Sequence, residues 1–290
     1  MDWGGHHNGG CFTNEIRKVR INKPQYIWLS ADGSQAEARV VAWAGPVPSL
    51  RSWFSNREDV HLNVARQIAR IVQENKLVLP RRLFMSKPWN EYTKEDKSER
   101  QVAKTTVHAN NYGLGKIHYS TLTGLPVKFA QILQEIYFSL FPEIKTGYQA
   151  WIDSLIRESR TIVTPFGRRR VFYDVIGPEL SRAAYAFYPQ STVGDWLTNM
   201  ITRLCECFSE PSGLLTPQRI RLCGLGVQLN VHDQVLIAVP NQEEDILYAA
   251  RQAKSIGEEP INIRGSDMVI PVDIKTGPNW GELKDFIIEI

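Results

Sequence analysis

The chain has 290 residues, of which 43% are hydrophobic and 22% charged, as is ordinary for a globular protein with a sizeable core. Its net charge of +3 is too small to indicate a polyanionic partner by itself, although the cations cluster in PRRL (80–83) and GRRR (167–170). No run of about 18 apolar residues and no basic-then-apolar leader occurs, so we expect neither a membrane-spanning helix nor export.

The chain contains four cysteines. They are Cys11, Cys205, Cys207 and Cys223. None forms a Cys-x-x-Cys pair or has the histidine spacing of a zinc site. We therefore expect a reduced, cytoplasmic protein.

The first predicted element is a strand within residues 25–45 that ends at Asp32, followed by a helix from about Ser34. Residues 55–160 are mostly helical by their three- and four-residue apolar spacing. These patterns predict a strand that carries an acid at its end and a helical subdomain after it.

The second half alternates strands with one long helix. Residues 160–175 predict a hairpin around Pro-Phe-Gly, and residues 181–208 a helix. Residues 223–240 predict two strands that meet at His232 and Asp233, and residues 267–283 a terminal hairpin. The sequence shows no internal repeat.

Asp32 and Asp233 each end an apolar strand-like run. If they converge, two carboxylates about 5 Å apart repel each other by roughly 3 kcal/mol at an effective dielectric near 20. A divalent cation relieves this repulsion, and hard oxygen ligands that leave room for water and phosphate suit magnesium. The alternative is that each aspartate is only a turn or cap residue.

Arg100, Lys104, His108 and Tyr112 are spaced four residues apart. On an α-helix they form one stripe about 18 Å long. Its cationic first half and its second half of imidazole and phenol match the triphosphate and the base and sugar of a nucleotide. A solvated basic helix face is the alternative.

Three ordered segments resemble the motifs of family A DNA polymerases. DGSQAEAR (32–39) resembles motif A, RQVAKTTVHANNYG (100–113) resembles motif B and VHDQV (231–235) resembles motif C. Shorter matches are DVH (59–61), TPFGRRR (164–170), PQSTVGD (189–195) and TGPNWGE (276–282). The resemblance extends from about residue 13 to the C-terminus.

The resemblance implies an α+β fold, the right-hand palm of a polymerase, in which an antiparallel sheet is backed by helices. The implied segments are an N-terminal tail (1–12), a first palm segment (13–47), helical fingers (48–175) and a second palm segment (176–290). Only about 31 residues precede Asp32, so we expect the thumb and the 3′–5′ exonuclease, and with it proofreading, to be absent. The chain is then either one half of a split polymerase completed by a separate chain or a minimal enzyme.

The resemblance also assigns the reacting groups. Asp32, Asp233 and the carbonyl of Gly33 would bind two Mg²⁺ ions, which Mn²⁺ can replace. Arg100, Lys104 and His61 would bind the incoming triphosphate. A lysine beside the leaving pyrophosphate can also donate a proton, so Lys104 counts as catalytic together with the two aspartates.

Glu37 is the residue that predicts deoxynucleotides. In the family the matching glutamate lies under the sugar, is bound to the motif B tyrosine, here Tyr112, and excludes a 2′-hydroxyl. Gln35 is a further substrate-binding position. His108 stands where the family has Phe or Tyr facing the sugar, and imidazole can both stack and donate a hydrogen bond.

Further matches predict contacts with primer–template DNA. Arg168, Arg169 and Arg170 are candidates for template or phosphate contact, Gln190 lies on a helix used beside the minor groove, and His232 would approach the primer 3′ end.

Motif C departs from the family because Gln234 replaces a glutamate, and motif A departs because Gly33 replaces a common tyrosine. An amide keeps hydrogen bonds but removes a negative charge, so we expect tuned activity, and we expect glycine to loosen the loop.

The sequence therefore predicts a template-directed DNA polymerase that adds dNTPs to a primer by two-metal-ion phosphoryl transfer, in a bacterial cell, with PQSTVGD favouring a phage gene. Two alternatives stay open. One is a catalytically weak, polymerase-like subunit that binds DNA in a replisome, and the other is a metal-dependent nuclease.

Overall fold

The computed structural model describes residues 17–18, 25–209 and 226–288. The predicted tail (1–12), Cys11 and Cys223 lie outside the described residues. The chain divides into two compact units. The sheet unit is Met1–Ala36, Thr192–Asn262 and Asp267–Ile290, and the helical unit is Glu37–Ser191 and Ile263–Ser266. These divisions fall at 36/37 and 191/192, whereas the predicted domain boundaries fall at 47/48 and 175/176, which stay a prediction.

The predicted elements occur in the expected order, and the structure adds a helix (Glu243–Gly257) and a strand pair (Ile261–Ile263 with Ser266–Met268) that the patterns did not predict. The strands are β1 (Tyr26–Gly33), β2 (Thr161–Val163), β3 (Arg169–Val171), β4 (Val227–Val231), β5 (Gln234–Pro240), β6 (Ile261–Ile263), β7 (Ser266–Met268), β8 (Val272–Gly277) and β9 (Lys284–Asp285). The helices are α1 (Ala36–Ala44), α2 (Pro48–Ser55), α3 (Val60–Glu74), α4 (Lys97–Asn111), α5 (Lys116–Thr123), α6 (Val127–Leu140), α7 (Ala150–Ser159), α8 (Pro178–Ser209) and α9 (Glu243–Gly257). Short 3₁₀ turns occupy Pro80–Arg82 and Trp89–Glu91, and a π-helical turn, Ile144–Gln149, leads into α7.

The sheet unit is built on an antiparallel sheet of strand order β4-β5-β1-β8-β9. β1 lies at its centre, between β5 and β8, and α9 packs against all three strands. Because side chains alternate along a strand, Leu29 and Ala31 point to one face of β1 and Trp28 to the other, and all three are buried. The central strand is therefore covered on both faces over these positions.

One face of β1 carries Trp28 near its start and Asp32 near its end. On this face Trp28 clusters with Leu236, Ala238 and Trp280. Asp32 lies on the same face as Trp28 by strand alternation, and it is opposite Gln234 on β5. The register of β1 and β5 thus sets which polar residues meet at the end of the sheet.

In the helical unit, α3 shows why the four-residue spacing predicts a helix. Val60, Val64, Ile68 and Val72 form one stripe and are fully buried. The helix begins after Asp59, whose carboxylate accepts a hydrogen bond from the third N–H of the helix.

α4 packs beside α3 and ends at Asn111, with Tyr112 as its C-terminal cap residue. The next residue, Gly113, has a φ of 67°, in the left-handed region that favours glycine. A Cβ atom there would lie 2.9 Å from the ring of Tyr185. Both the backbone and the space require glycine directly after the motif B tyrosine.

Two predicted hairpins are present, and a third is shorter than predicted. β2 pairs with β3, and β4 meets β5 at His232 and Asp233. The terminal hairpin, predicted at 267–283, consists instead of β8 and β9, because Ser266–Met268 pairs with Ile261–Ile263. Among the described residues, no helix has the length and apolar character needed to cross a membrane.

Gly33 and Gly194 provide a paired test of the packing in the sheet unit. A Cβ atom on Gly33 would lie 2.8 Å from the ring of Trp196, which is fixed by a 2.8 Å hydrogen bond from its Nε1 to the carbonyl oxygen of Gly257. We expect Gly33→Ala to lower the free energy of unfolding by about 1–3 kcal/mol in urea titrations.

Gly194 is the control because it lies within α8 and has open space around its Cβ position. Gly194→Ala should raise the free energy of unfolding by about 0.5–1 kcal/mol, since alanine is the better helix former. Equal effects of the two changes would contradict this account.

Candidate functional site

The two predicted metal-binding aspartates lie at the ends of neighbouring strands in the sheet unit. Asp32 is the penultimate residue of β1, and Asp233 lies in the tight turn before β5. The Gly33 N–H donates a 3.0 Å hydrogen bond to the main-chain carbonyl of Asp233. The antiparallel ladder therefore brings together two acids that are distant in sequence.

His232 shares this turn and is exposed, with a φ of 57° in the left-handed region. That conformation lets the chain reverse direction within two residues between β4 and β5. Asp233 is the second of these residues, and the next residue, Gln234, is the register partner of Asp32. The predicted contact of His232 with a primer end stays a prediction.

The oxygen atoms of Asp32, Asp233 and the Gly33 main chain are hard ligands of the kind that magnesium prefers. In the described part of the chain, no group of three or more His, Cys, Asp or Glu side chains is arranged to hold a metal ion. A cation here would depend on two carboxylates, a main-chain carbonyl and ligands from outside the protein. Magnesium commonly binds in this way, with water and substrate phosphates completing its shell, so the residues fit the ion.

Gln234 bridges the sheet. Its amide nitrogen donates a 2.8 Å hydrogen bond to Ser30 Oγ, and its amide oxygen accepts a 3.0 Å hydrogen bond from Trp280 Nε1. The glutamine that replaces the motif C glutamate therefore has a packing role between β1, β5 and the C-terminal segment.

Gly33, the other departure, leaves room for Trp196 beside β1. A tyrosine side chain at position 33 would occupy the volume of that indole. The expected loosening of the loop is offset by the buried tryptophan, which is 3% exposed.

In the helical unit, Glu37 on α1 and Tyr112 at the end of α4 meet as predicted for the sugar-contacting pair. The Tyr112 hydroxyl donates a hydrogen bond to Glu37 Oε2. Burial, and then the charge of Glu37, raise the pKa of Tyr112 well above its ordinary value, so the phenol stays protonated and remains a donor. Gln35 lies in the sheet unit, before α1, with a φ of 53°.

The motif B stripe forms one half-buried face of α4. Arg100, Lys104, His108 and Tyr112 are all partly exposed, whereas Ala103 and Val107 on other sides of the helix are fully buried. A freely solvated basic face would expose its cations more fully. The stripe is therefore a partly sheltered surface with cationic groups at one end.

Arg100 is held by Asp59, which precedes α3. Arg100 Nε and Nη2 donate hydrogen bonds of 3.1 and 2.8 Å to Asp59 Oδ2. Sequence reasoning missed this partner, although an aspartate directly before an apolar-periodic run is a recognisable helix start.

Two imidazoles lie beside these cations. The rings of His61 on α3 and His108 on α4 are 5.8 Å apart, and His108 Nδ1 is 3.7 Å from Glu37 Oε2. Burial, with the charge of Lys104, lowers the pKa of His108 to about 4. Burial is also the main cause that lowers the pKa of His61 to about 3, and His108, Lys104 and Arg100 add to it against the opposing charge of Asp59.

Both imidazoles are consequently neutral near pH 7. His61 is 4% exposed, and its buried Nε2 has no hydrogen-bond partner among the described residues. A buried polar atom without a partner is costly, and it marks a place where a ligand can supply the missing hydrogen bond.

The predicted DNA-contacting arginines are exposed. Arg168, Arg169 and Arg170 follow the turn of the β2–β3 hairpin, and the Arg170 guanidinium lies 4.6 Å from the ring centroid of Phe172. Gln190 is exposed on α8. Their contact with DNA stays a prediction.

Comparison with known proteins agrees with the family resemblance. The family model for DNA polymerase family A matches residues 11–282. DNA polymerase I of Chloroflexus aurantiacus is 29% identical over 279 residues, which are 93% of this chain and 26% of that protein. The thermostable DNA polymerase I of Thermus filiformis is 26% identical over 279 residues, 93% of this chain and 29% of that protein.

Among solved structures, the fold matches the POL domain of Pol1 from M. smegmatis in complex with DNA primer-template and dNTP. The TM-score is 0.69 at 21% identity, over 92% of this chain and 42% of that chain. The α+β fold is therefore that of a polymerase domain, as the resemblance implies. The chain spans about a quarter of the length of these curated relatives.

The buried neutral His61 predicts a pH dependence of stability. Its pKa is about 3 in the folded chain and about 6.5 when unfolded, so between these values the unfolded chain binds more protons. The free energy of unfolding should then fall with falling pH by up to about 1.4 kcal/mol per pH unit from this residue alone.

We expect His61→Phe to reduce the slope of stability against pH between pH 6 and 4.5 by that amount, as measured by urea unfolding at each pH. An unchanged slope would show that His61 is protonated equally in both states.

Proposed function

Because the chain belongs to DNA polymerase family A, we propose that it carries the nucleotidyl-transfer centre of a template-directed DNA polymerase, which adds dNTPs to a primer 3′ end. The observation that carries this proposal is that the main chains of Asp32 and Asp233 are neighbours, through the hydrogen bond from the Gly33 N–H to the Asp233 carbonyl and the β1–β5 register. A solved relative in complex with primer-template and dNTP supports the two substrates.

Asp32, Asp233 and the main-chain carbonyl of Gly33 are the proposed ligands of two Mg²⁺ ions, which Mn²⁺ can replace. When bound, such a pair supplies charge neutralisation at the attacking and leaving oxygens of phosphoryl transfer. The chain itself contributes the oxygen ligands and, through the hydrogen bond from Gly33 to Asp233, their spacing.

Arg100, Lys104 and His61 are the proposed ligands of the triphosphate. The primer 3′-hydroxyl gives its proton to the solvent, and its oxygen forms a bond to the α-phosphorus. The bond from that phosphorus to the bridging oxygen breaks at the same time, and pyrophosphate leaves with the electron pair. Lys104 Nζ donates a proton to the leaving pyrophosphate. His61 is neutral, so it can donate one N–H without adding to the charge of the cluster.

The Glu37–Tyr112 pair, with Gln35 and His108, is proposed to select the sugar. Glu37 would lie where a 2′-hydroxyl would otherwise fit, and Tyr112 holds its carboxylate by a hydrogen bond. The imidazole of His108 would face the 3′ side of the sugar, as the matching aromatic residue does in the family. These roles favour deoxynucleotides.

The β2–β3 hairpin arginines, Gln190 and His232 are proposed to contact primer–template DNA. Exposed arginines bind phosphates without sequence preference, so they would contribute affinity that weakens with salt. A separate chain that supplies a thumb or an exonuclease is the further proposed partner. We propose that the protein acts in a bacterial cell, since its named relatives are bacterial. The proposal includes a gene carried by a phage.

The first test is primer extension with magnesium and dNTPs. We expect the wild-type chain to extend a primer and Asp233→Asn to lower the rate by about a thousandfold, since loss of a metal ligand removes several kcal/mol of charge stabilisation. Asp285→Asn is the matched control, because Asp285 is an exposed carboxylate on the edge strand of the same sheet.

If the wild-type chain binds primer–template but extends it with neither Mg²⁺ nor Mn²⁺, the DNA-binding subunit is the better description. Degradation of the DNA that requires Asp233, without extension, would favour a nuclease.

The second test concerns the sugar. Glu37→Ala should reduce the preference for a dNTP over the matching rNTP by roughly 10- to 200-fold in single-nucleotide incorporation, because the carboxylate that excludes the 2′-hydroxyl is removed. Glu135→Ala, at an exposed site on α6, should leave the preference unchanged. Equal preferences in wild type and Glu37→Ala would remove Glu37 from this role.

A further inference from the structure

Asp59 divides its two carboxylate oxygens between two helices. Oδ1 accepts a 3.0 Å hydrogen bond from the Leu62 N–H in the first turn of α3. Oδ2 accepts the hydrogen bonds from Nε and Nη2 of Arg100 on α4. One side chain thus caps the helix that carries His61 and also holds the arginine on the neighbouring helix.

The geometry of Arg100 leaves its other edge turned away from Asp59. A guanidinium is planar and presents its donors in a fixed fork, so binding through Nε and Nη2 fixes the direction of Nη1. Among the described residues, no acceptor is hydrogen-bonded to Nη1. The Asp59 side chain is 10% exposed and that of Arg100 is 33% exposed. The contact is sheltered, while a portion of the guanidinium stays accessible.

The charge of Asp59 is also maintained. Burial by itself would raise the pKa of its carboxyl, but the hydrogen bonds from Leu62 and Arg100 outweigh that effect and lower the pKa below its ordinary value. Asp59 is therefore ionised at neutral pH. It offsets one positive charge in a region that also contains Lys104 before any ligand is bound.

We propose that Asp59 is a positioning residue for triphosphate binding, which fixes Arg100 so that its Nη1 edge meets the phosphates. The inference rests on the proposed function, because it takes Arg100 as a triphosphate ligand. A free arginine would lose much of its rotamer freedom when it binds phosphate, and Asp59 removes that freedom in advance. The same residue fixes the start of α3, two positions before His61.

The two roles of Asp59 can be separated by substitution. In Asp59→Ser the hydroxyl can still accept a hydrogen bond at the start of α3, but the carboxylate that holds Arg100 is gone. Asp59→Ala removes both contacts. Thermal unfolding of the two variants measures the cap alone, and a lower melting temperature is expected for Asp59→Ala than for Asp59→Ser.

Nucleotide binding measures the second role. We expect Asp59→Ser to weaken the binding of dTTP and of inorganic triphosphate about tenfold in calorimetric titrations without DNA. In primer extension it should raise the KM for dNTP by a similar factor, with kcat and the KM for primer–template changed less than about threefold. In an Arg100→Ala background, Asp59→Ser should cause no further loss, because Asp59 acts through Arg100.

Equal triphosphate affinity of wild type and Asp59→Ser would overturn the positioning role, and so would losses from Asp59→Ser and Arg100→Ala that multiply. If Asp59→Ser does not fold, Asp59→Asn keeps the cap oxygen without the charge, and the same criteria apply to it. A wild-type chain that binds triphosphate in an Asp59-dependent way but extends no primer would support the positioning role and refute the polymerase proposal. The two failures are therefore distinguishable.

Discussion

The antiparallel ladder between β1 and β5 is the constraint on which the positions of the proposed metal ligands in the sheet unit depend. Its register sets Asp32 opposite Gln234, and the hydrogen bond from Gly33 to Asp233 closes the ladder at that end. Since a shift of one residue would turn every side chain of β1 to the other face, the buried Trp28, Leu29 and Ala31 also hold Asp32 in place. Packing in the middle of the strand thus helps to fix the position of Asp32 near its end.

In the helical unit, the number of positive charges near Arg100 and Lys104 is limited. Arg100 and Lys104 lie near two imidazoles that burial and these cations keep neutral, and Asp59 neutralises Arg100 directly. A cluster of four positive charges would repel itself, whereas two cations, one carboxylate and two neutral rings can coexist before a polyanion binds. The His61 Nε2, which has no partner among the described residues, is consistent with a site that a ligand completes.

The departures from the family motifs have packing explanations. Gln234 uses both ends of its amide, towards Ser30 and Trp280, and Gly33 leaves the space that Trp196 fills. These contacts show how the sheet stays tightly packed at the two positions where motifs A and C of this chain differ from the family pattern. The two proposed catalytic aspartates lie next to both of these positions, so their environment is well supported.

The sequence by itself predicted most elements in their order, the two strand-end aspartates and the motif B stripe, because periodicity and motif spacing are local properties. It did not predict α9 or the pairing of β6 with β7. It placed α8, the β2–β3 hairpin and the β4–β5 turn within a few residues. It assigned too long a span to the terminal hairpin. The strand Ser266–Met268 pairs with Ile261–Ile263 and not with the C-terminal segment, and the local pattern does not show which strand it pairs with. Only the tertiary structure decided which polar groups form hydrogen bonds with each other. The binding of Arg100 by Asp59, the bridge through Gln234 and the neutrality of His61 all arise from burial and from contacts between distant residues, which no local pattern records.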